Sequence, residues 1–497
     1  TLTVSGGSLS ALAQYVGASG TGVANQSGGT NTGDYLILGA DSGASGTYTL
    51  SGGSLRMDGD QYVGFNGTGN FIQSGGTSTG TQSLHLGYNT GACGTYDLVN
   101  GSLSTWTQWV GTDGTGVFRQ SGGTNTVATE LTLGADSNAY GMYDLSGGSL
   151  RAKTQYIGYV GTGNFSQSGG TNIVTDLFLG QYAGADGTYD LAGGSLGTLW
   201  SQNVGYTGRG TFNQSGGTNL VRFALYVGEY AGSDGTFNLS GGLLTSGGST
   251  ILGYDGNAHG VMNITGGSLA ATGPMILALG TSSTAELYVA KAATIQAGNL
   301  TINSGSGRST KVSMELDSNG HSLIGASGTV SLAGALNVQG LNGYRPNQGD
   351  TFALITSTSM SGTFASITSN IAGQLLLDPN NPAGGYWPIF RGAIDANTQS
   401  YVVTFQGAMA GDATGDNVVD GNDFGALARN WMLSGKTWTD GDFNGDGTVD
   451  STDFGSIARN WGSTGLAPAA APDAPIPEPA SLALLAAGTL ALVRRRR

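Results

Sequence analysis

Apolar and polar residues alternate in short runs along the first 270 residues, and the runs recur. Thr47-Tyr48-Thr49-Leu50 is typical: every second side chain is apolar, the period of a half-buried strand. The string Gln-Ser-Gly-Gly-Thr begins at Gln26, Gln73, Gln120, Gln167 and Gln214, 47 residues apart each time. Related strings, mostly Leu-Ser-Gly-Gly-Ser-Leu, begin at Leu50, Leu98, Leu145, Leu191, Leu239 and Ile264, so the unit is a half-repeat of about 24 residues. An aromatic precedes nearly every one by two residues: Tyr48, Phe71, Tyr96, Phe118, Tyr143, Phe165, Tyr189, Phe212 and Phe237, with Ala24 and Met262 in the terminal copies. An apolar-Gly pair recurs as well, from Val16-Gly17 to Leu252-Gly253.

A unit this small cannot bury its apolar face alone, but coils stacked on one another can. The pattern therefore predicts a mainly β fold, a right-handed parallel β-solenoid over residues 1–270 with two or three strands per coil. Like residues then form ladders about 4.8 Å apart, and eleven coils make a column on the order of 50 Å long. The aromatics are common to both half-repeats, which favours a 24-residue coil with Leu and Gln alternating along one column. After Leu269 the periodicity fades while strand-like runs such as Leu300-Thr301-Ile302 and Tyr401-Val402-Val403-Thr404-Phe405 continue. An open coil end needs covering, so 271–407 is expected to be an irregular β-rich cap.

Composition narrows the function. The 497 residues include 91 Gly, and only 10% are charged, well under the roughly 25% of an ordinary globular chain. No Gly recurs at every third position, which excludes collagen. The net charge is −14 and the one basic cluster is Arg494 to Arg497, so no nucleic acid is expected as a partner. Cys93, the single cysteine, stands in a Gly-rich turn and excludes an intrachain disulfide framework. The chain begins at Thr1 within a strand pattern, so a signal peptide and further repeats are expected upstream. A catalytic groove needs convergent carboxylates. Residues 1–270 hold only Glu130 and Glu229, with His85 and His259, each pair four or more coils apart. No catalytic residues are assigned. Tyr15, Tyr62, Trp106, Trp109, Tyr156 and Trp200 are candidates for a sugar-stacking surface or for ladder packing within the sheet.

The sharpest chemistry lies at 412–461. Two segments align 30 residues apart, and each runs into a helix-like stretch ending Ala-Arg-Asn-Trp, at Trp431 and Trp461. A hard cation such as Ca²⁺ takes six to eight oxygens, from loop positions 1, 3, 5, 7, 9 and 12. The first loop offers Asp412, Thr414, Asp416, the Val418 carbonyl, Asp420 and Asp423; the second offers Asp442, Asn444, Asp446, the Thr448 carbonyl, Asp450 and Asp453. Thr414 is a poorer ligand than Asn444, and Asn417 replaces the turn glycine Gly447, so the first site is expected to bind more weakly. The duplicated loop and helix over 408–465 resembles the type I dockerin module. The resemblance implies calcium, docking onto a cohesin-like protein, and partner-recognition residues at Ser451 and Thr452; Gly421-Asn422 departs from that pattern.

A Pro/Ala linker follows at 466–480, then Pro477-Glu478-Pro479, an apolar run from Ser481 to Val493, and the four Arg within 481–497. Thirteen residues are short for a full membrane span of about 20. This order is similar to the PEP-CTERM sorting signal of Gram-negative bacteria. The resemblance implies transient anchoring in the inner membrane, processing by an exosortase, delivery to the cell surface or extracellular space, and a link to exopolysaccharide. The segment from Leu341 to Phe352 with Ser361-Gly362-Thr363-Phe364 resembles, in architecture, the β-rich region after the repeats of autotransporter-type surface proteins; no membrane barrel follows it. The expectation is an exported structural or adhesive protein with a calcium-dependent docking module. A carbohydrate-active protein, either polysaccharide-binding or a dockerin-borne glycosyl hydrolase, is the first alternative, and a passive surface-layer component the second.

Overall fold

The computed structural model describes residues 1–342, 344, 346, 350–370, 376–377, 386–387, 390–405, 411–414, 418–436, 438–443 and 447–462. Strand makes up 55% of it and helix 5%, arranged as a β-solenoid of about 14 turns with two short helices near the paired loops. The chain divides into two compact units. The first comprises Thr1–Arg345, Thr351–Ile371 and Gly392–Val403; the second includes Thr404–Arg497.

Most repeat coils contribute three strands, for example Thr68–Gln73, Thr77–Gly80 and Ser83–Leu86; in three coils the second and third merge into one, as in Thr124–Leu133. Every strand pairs in parallel with its counterpart one coil on. Thr68 pairs with Cys93 and Cys93 with Thr115, so these two successive coils are 25 and 22 residues long. Gln73, Leu98 and Gln120 stand in one column, as the 24-residue coil requires. Cys93 opens a strand and is exposed, in register with threonines, rather than lying in the turn itself.

The core follows from the alternation. In strand Thr68–Gln73 the side chains of Phe71 and Gln73 point inward and are fully buried. The aromatics form one internal stack from Tyr48 to Phe237, with ring centroids 4.5–5.1 Å apart and planes within 9°. The glycine after each apolar anchor lets coil backbones touch. At Gly64 φ is +78°, and an added Cβ would lie 2.2 Å from the Cys93 carbonyl oxygen.

Parallel pairing does not stop where the sequence repeat fades. Strands Thr284–Val289, Ser309–Asp317, Ala335–Gly340 and Ser366–Ser369 extend the same ladder. Their coils are less regular: Thr329 pairs with Ser359, a 30-residue step, and a short antiparallel hairpin at Gly320–His321 branches off. Here the inward column is Leu287, Val312 and Leu336. Aliphatic packing has replaced the aromatic stack, so the string that marks the repeat disappears while its burial pattern persists.

Candidate metal centre

In the second unit each acidic loop leads into a helix, α1 (Gly421–Arg429) and α2 (Ser451–Asn460). Asp420 and Asp450 are the N-caps, and their carboxylates accept from the Asn422 and Thr452 backbone N–H groups. Asp423 and Asp453, three residues on, accept from the backbone N–H of Asp420 and Asp450, closing a reciprocal capping box at each helix start. The other oxygen of each turns back into the loop. Asp423 Oδ1 accepts from Thr414 N and Thr414 Oγ1, at 2.8 and 2.9 Å, and Asp453 Oδ1 accepts from Phe443 N at 2.7 Å. The last acid of each loop thus ties the loop's start to the helix's start.

The two halves pack on a small shared core of Ala413, Val419, Ala426, Leu427, Phe443, Val449 and Ile457, with Phe424 and Phe454 against it. Gly441 has φ +105°, and an added Cβ would meet Leu427 Cα at 2.6 Å; Gly411 relates in the same way to Ile457. Each loop therefore sits directly on the opposite helix. Gly447 has φ +83°, and its N–H donates to Asp442 Oδ2 at 2.8 Å, so it makes the sharp turn expected of loop position 6.

Four carboxylates are buried here, Asp412, Asp423, Asp442 and Asp453, the first and last acids of each loop. Together with the loop carbonyls these acids make an all-oxygen donor set, which suits a hard cation. The residues present therefore fit calcium. Of the expected ligands, Asp412, Thr414, Val418, Asp420 and Asp423 lie along the first loop, and Asp442, Thr448, Asp450 and Asp453 along the second. Asp416, Asn444 and Asp446 lie outside the described residues, and the described residues alone form no group of three or more metal-binding side chains.

Residues 410–461 match the dockerin type I domain. Residues 475–497 match the PEP-CTERM protein-sorting motif. No curated protein matches the chain. Type I dockerin domains bind calcium, which agrees with the acid placement just described. The chain is thus an exported protein carrying a docking module. Ser451 and Thr452 are exposed at the start of α2 in the dockerin module, as Gly421 and Asn422 are in α1. Thr452 Oγ1 donates to Asp450 Oδ1 at 2.6 Å. Pro477, Glu478 and Pro479 and the apolar run lie outside the described residues; among those described, no helix is long and apolar enough to cross a membrane.

On the solenoid the outward aromatics form a second ladder. Tyr62, His85 and Trp109 stack at 5.2 and 6.2 Å with planes within 12°. Their faces are turned to one another, so ladder packing accounts for them. Trp106 and Trp200 differ, being 55% and 54% exposed, and Trp200 lies on Phe223 at 4.2 Å. Glu229 is buried beside this ladder, and burial pushes its carboxyl up to about 7. Two features escaped the sequence reading. The capping boxes were visible as Asp-x-x-Asp at Asp420 and Asp450. A set of internal amides, buried except for the half-buried Gln14, was visible as a second 47-residue series, Gln14, Gln61, Gln108, Gln155 and Gln202.

Proposed function

We propose that this is a cell-surface or extracellular-matrix protein in which the β-solenoid serves as a structural or adhesive spacer and the dockerin module as its calcium-dependent attachment point. The observation that carries the reading is the pairing of two helix-capping acidic loops, each with two buried carboxylates, on one small core. Calcium would be held in the first loop by Asp412, Thr414, Asp416, the Val418 carbonyl, Asp420 and Asp423. In the second it would be held by Asp442, Asn444, Asp446, the Thr448 carbonyl, Asp450 and Asp453. The ion supplies the positive charge that offsets the buried acids. Thr414, with a hydroxyl where the second loop has an amide, makes the first site the weaker.

The dockerin match implies a cohesin-like partner, met by Ser451 and Thr452. The sorting motif implies an exosortase that acts on the tail at the inner membrane, with Pro477-Glu478-Pro479 as its mark. The division into solenoid (1–270), β-rich capping region (271–407), dockerin module (408–465), linker (466–480) and tail (481–497) belongs to this reading. The test is retention of the full chain on immobilised cohesin-like bait in Ca²⁺ and in chelator. Retention in Ca²⁺ that is lost in chelator is expected; equal retention in both overturns the calcium-dependent docking.

A further inference from the structure

The interior of the solenoid carries a polar network that repeats every 47 residues. In its complete form the Asn172 amide pairs with the Gln155 amide, at 2.7 and 2.9 Å, and donates to the Tyr189 hydroxyl at 3.1 Å. That hydroxyl donates to Gln167 Oε1 at 2.5 Å. Gln108, Asn125, Tyr143 and Gln120 make the same arrangement, and so do Gln14, Asn31, Tyr48 and Gln26. Each is built from side chains of three successive coils, so it adds directional hydrogen bonds between coils to the register that the buried apolar face already sets.

The fifth copy is Gln202, Asn219, Phe237 and Gln214. Its backbone register is unchanged, and the Phe237 ring keeps the stack, 4.7 Å from Phe212 and within 9° of its plane. The phenylalanine lacks the hydroxyl that would link the amides. In this copy the direct Gln–Asn pair is open as well, and five buried polar atoms are without a protein partner: Nε2 and Oε1 of Gln202, Nδ2 and Oδ1 of Asn219, and Oε1 of Gln214. All three residues are no more than 1% exposed. The second copy supports the same logic from another side. There Ser78 replaces the asparagine, and both amide atoms of Gln61 are without a partner.

We propose that the fifth copy is a buried hydration site, in which one water bridges Asn219 and Gln214, as the tyrosine hydroxyl does in the complete copies, and also reaches the Gln202 amide. The site is polar and enclosed, and it offers the donors and acceptors an internal water needs. A bridging water makes hydrogen bonds nearly as good as direct ones, whereas five orphaned atoms would each carry a desolvation cost.

The test is a crystal structure of the full chain with ordered solvent, together with two variants. In the wild type, one water within hydrogen-bond distance of all three amides is expected. In Phe237→Tyr the hydroxyl displaces it, and the urea midpoint of the solenoid moves up. In Tyr189→Phe, a change the fifth copy already tolerates, a water appears between Gln167 and Asn172 and the midpoint moves down. Amides in the fifth copy closed directly on one another without solvent would overturn the proposal. So would a Phe237→Tyr midpoint at or below wild type, or a Tyr189→Phe structure with no new water.

Discussion

The solenoid and the dockerin module solve the burial problem in opposite ways. The solenoid spends almost no charge. Its interior is an aromatic stack, alternating Leu and amide columns, and coil backbones brought together at glycine. Each coil is covered by the next, so stability is close to a sum over neighbours. The dockerin module has a core of seven residues and encloses four carboxylates. Its helices start on aspartates that also close the loops. The first architecture is held together by stacking and hydrogen bonding among its own coils; the second gathers oxygen donors of the kind a hard cation takes.

Calcium removal tests this contrast most severely. In chelator the module is expected to lose its two helices and its buried Phe443 and Ile457 environment, as small metal-organised domains do. The strand signal of the solenoid stays as it was. Circular dichroism resolves the two, because helix is confined to the module among the described residues. A solenoid that melts along with the module would break the comparison.

The second test attacks the solenoid where it is self-sufficient. Phe118 lies between Tyr96 and Tyr143, at 4.9 and 4.6 Å, with no exposure. Phe118→Ala is expected to cost about 3–5 kcal/mol. Because coils couple through their neighbours, the loss shows as faster hydrogen exchange in the flanking strands Cys93–Leu98 and Tyr140–Leu145. The calcium-dependent transition of the module stays at its wild-type position. Exchange that quickens uniformly along the whole column would mean that the coils unfold as one unit rather than as neighbours.

What was legible in the sequence divides along the same line. The strand period and the Gly-Gly strings made the coil readable, because a ladder writes the same residue at the same place in every turn. Past Leu269 the ladder is aliphatic, with Leu287, Val312 and Leu336 in the column that Tyr and Phe hold earlier. Many residues satisfy that position, so the string dissolves while the pairing continues. In the module the loop spacing carried the ligand positions. The dual duty of Asp423 and Asp453 was harder to see, because one residue type serves a metal and a helix end equally well. The internal amides were hidden for another reason: Gln and Asn read as surface residues until the register puts Tyr189 over Gln167 and Asn172.

The smallest expected effect is a pH dependence inside the solenoid, and its sign is diagnostic. Burial raises the Glu229 carboxyl from 4.5 to about 7. Tyr206 and Tyr226, which feel its charge, flank it on the aromatic ladder, and no ion pair among the described residues includes it. The folded coil therefore holds this proton more tightly than the unfolded chain does. Its contribution is most favourable below about pH 4.5, declines as pH rises toward 7, and levels off above, a total of roughly 3 kcal/mol at most. His85 acts in the other direction: burial lowers it to about 4, so its neutral form favours folding and that stability fades as pH falls from about 6.5 to about 4. Glu229→Gln separates the two. Relative to wild type, the variant is expected to have a higher solenoid melting temperature at pH 8 and nearly the same one at pH 4.5, with the His85 contribution cancelling in the difference. A difference that is the same at both pH values would show that Glu229 keeps its charge in the coil. The solenoid would then hold this anion without penalty, and the contrast with the acid-laden module would narrow.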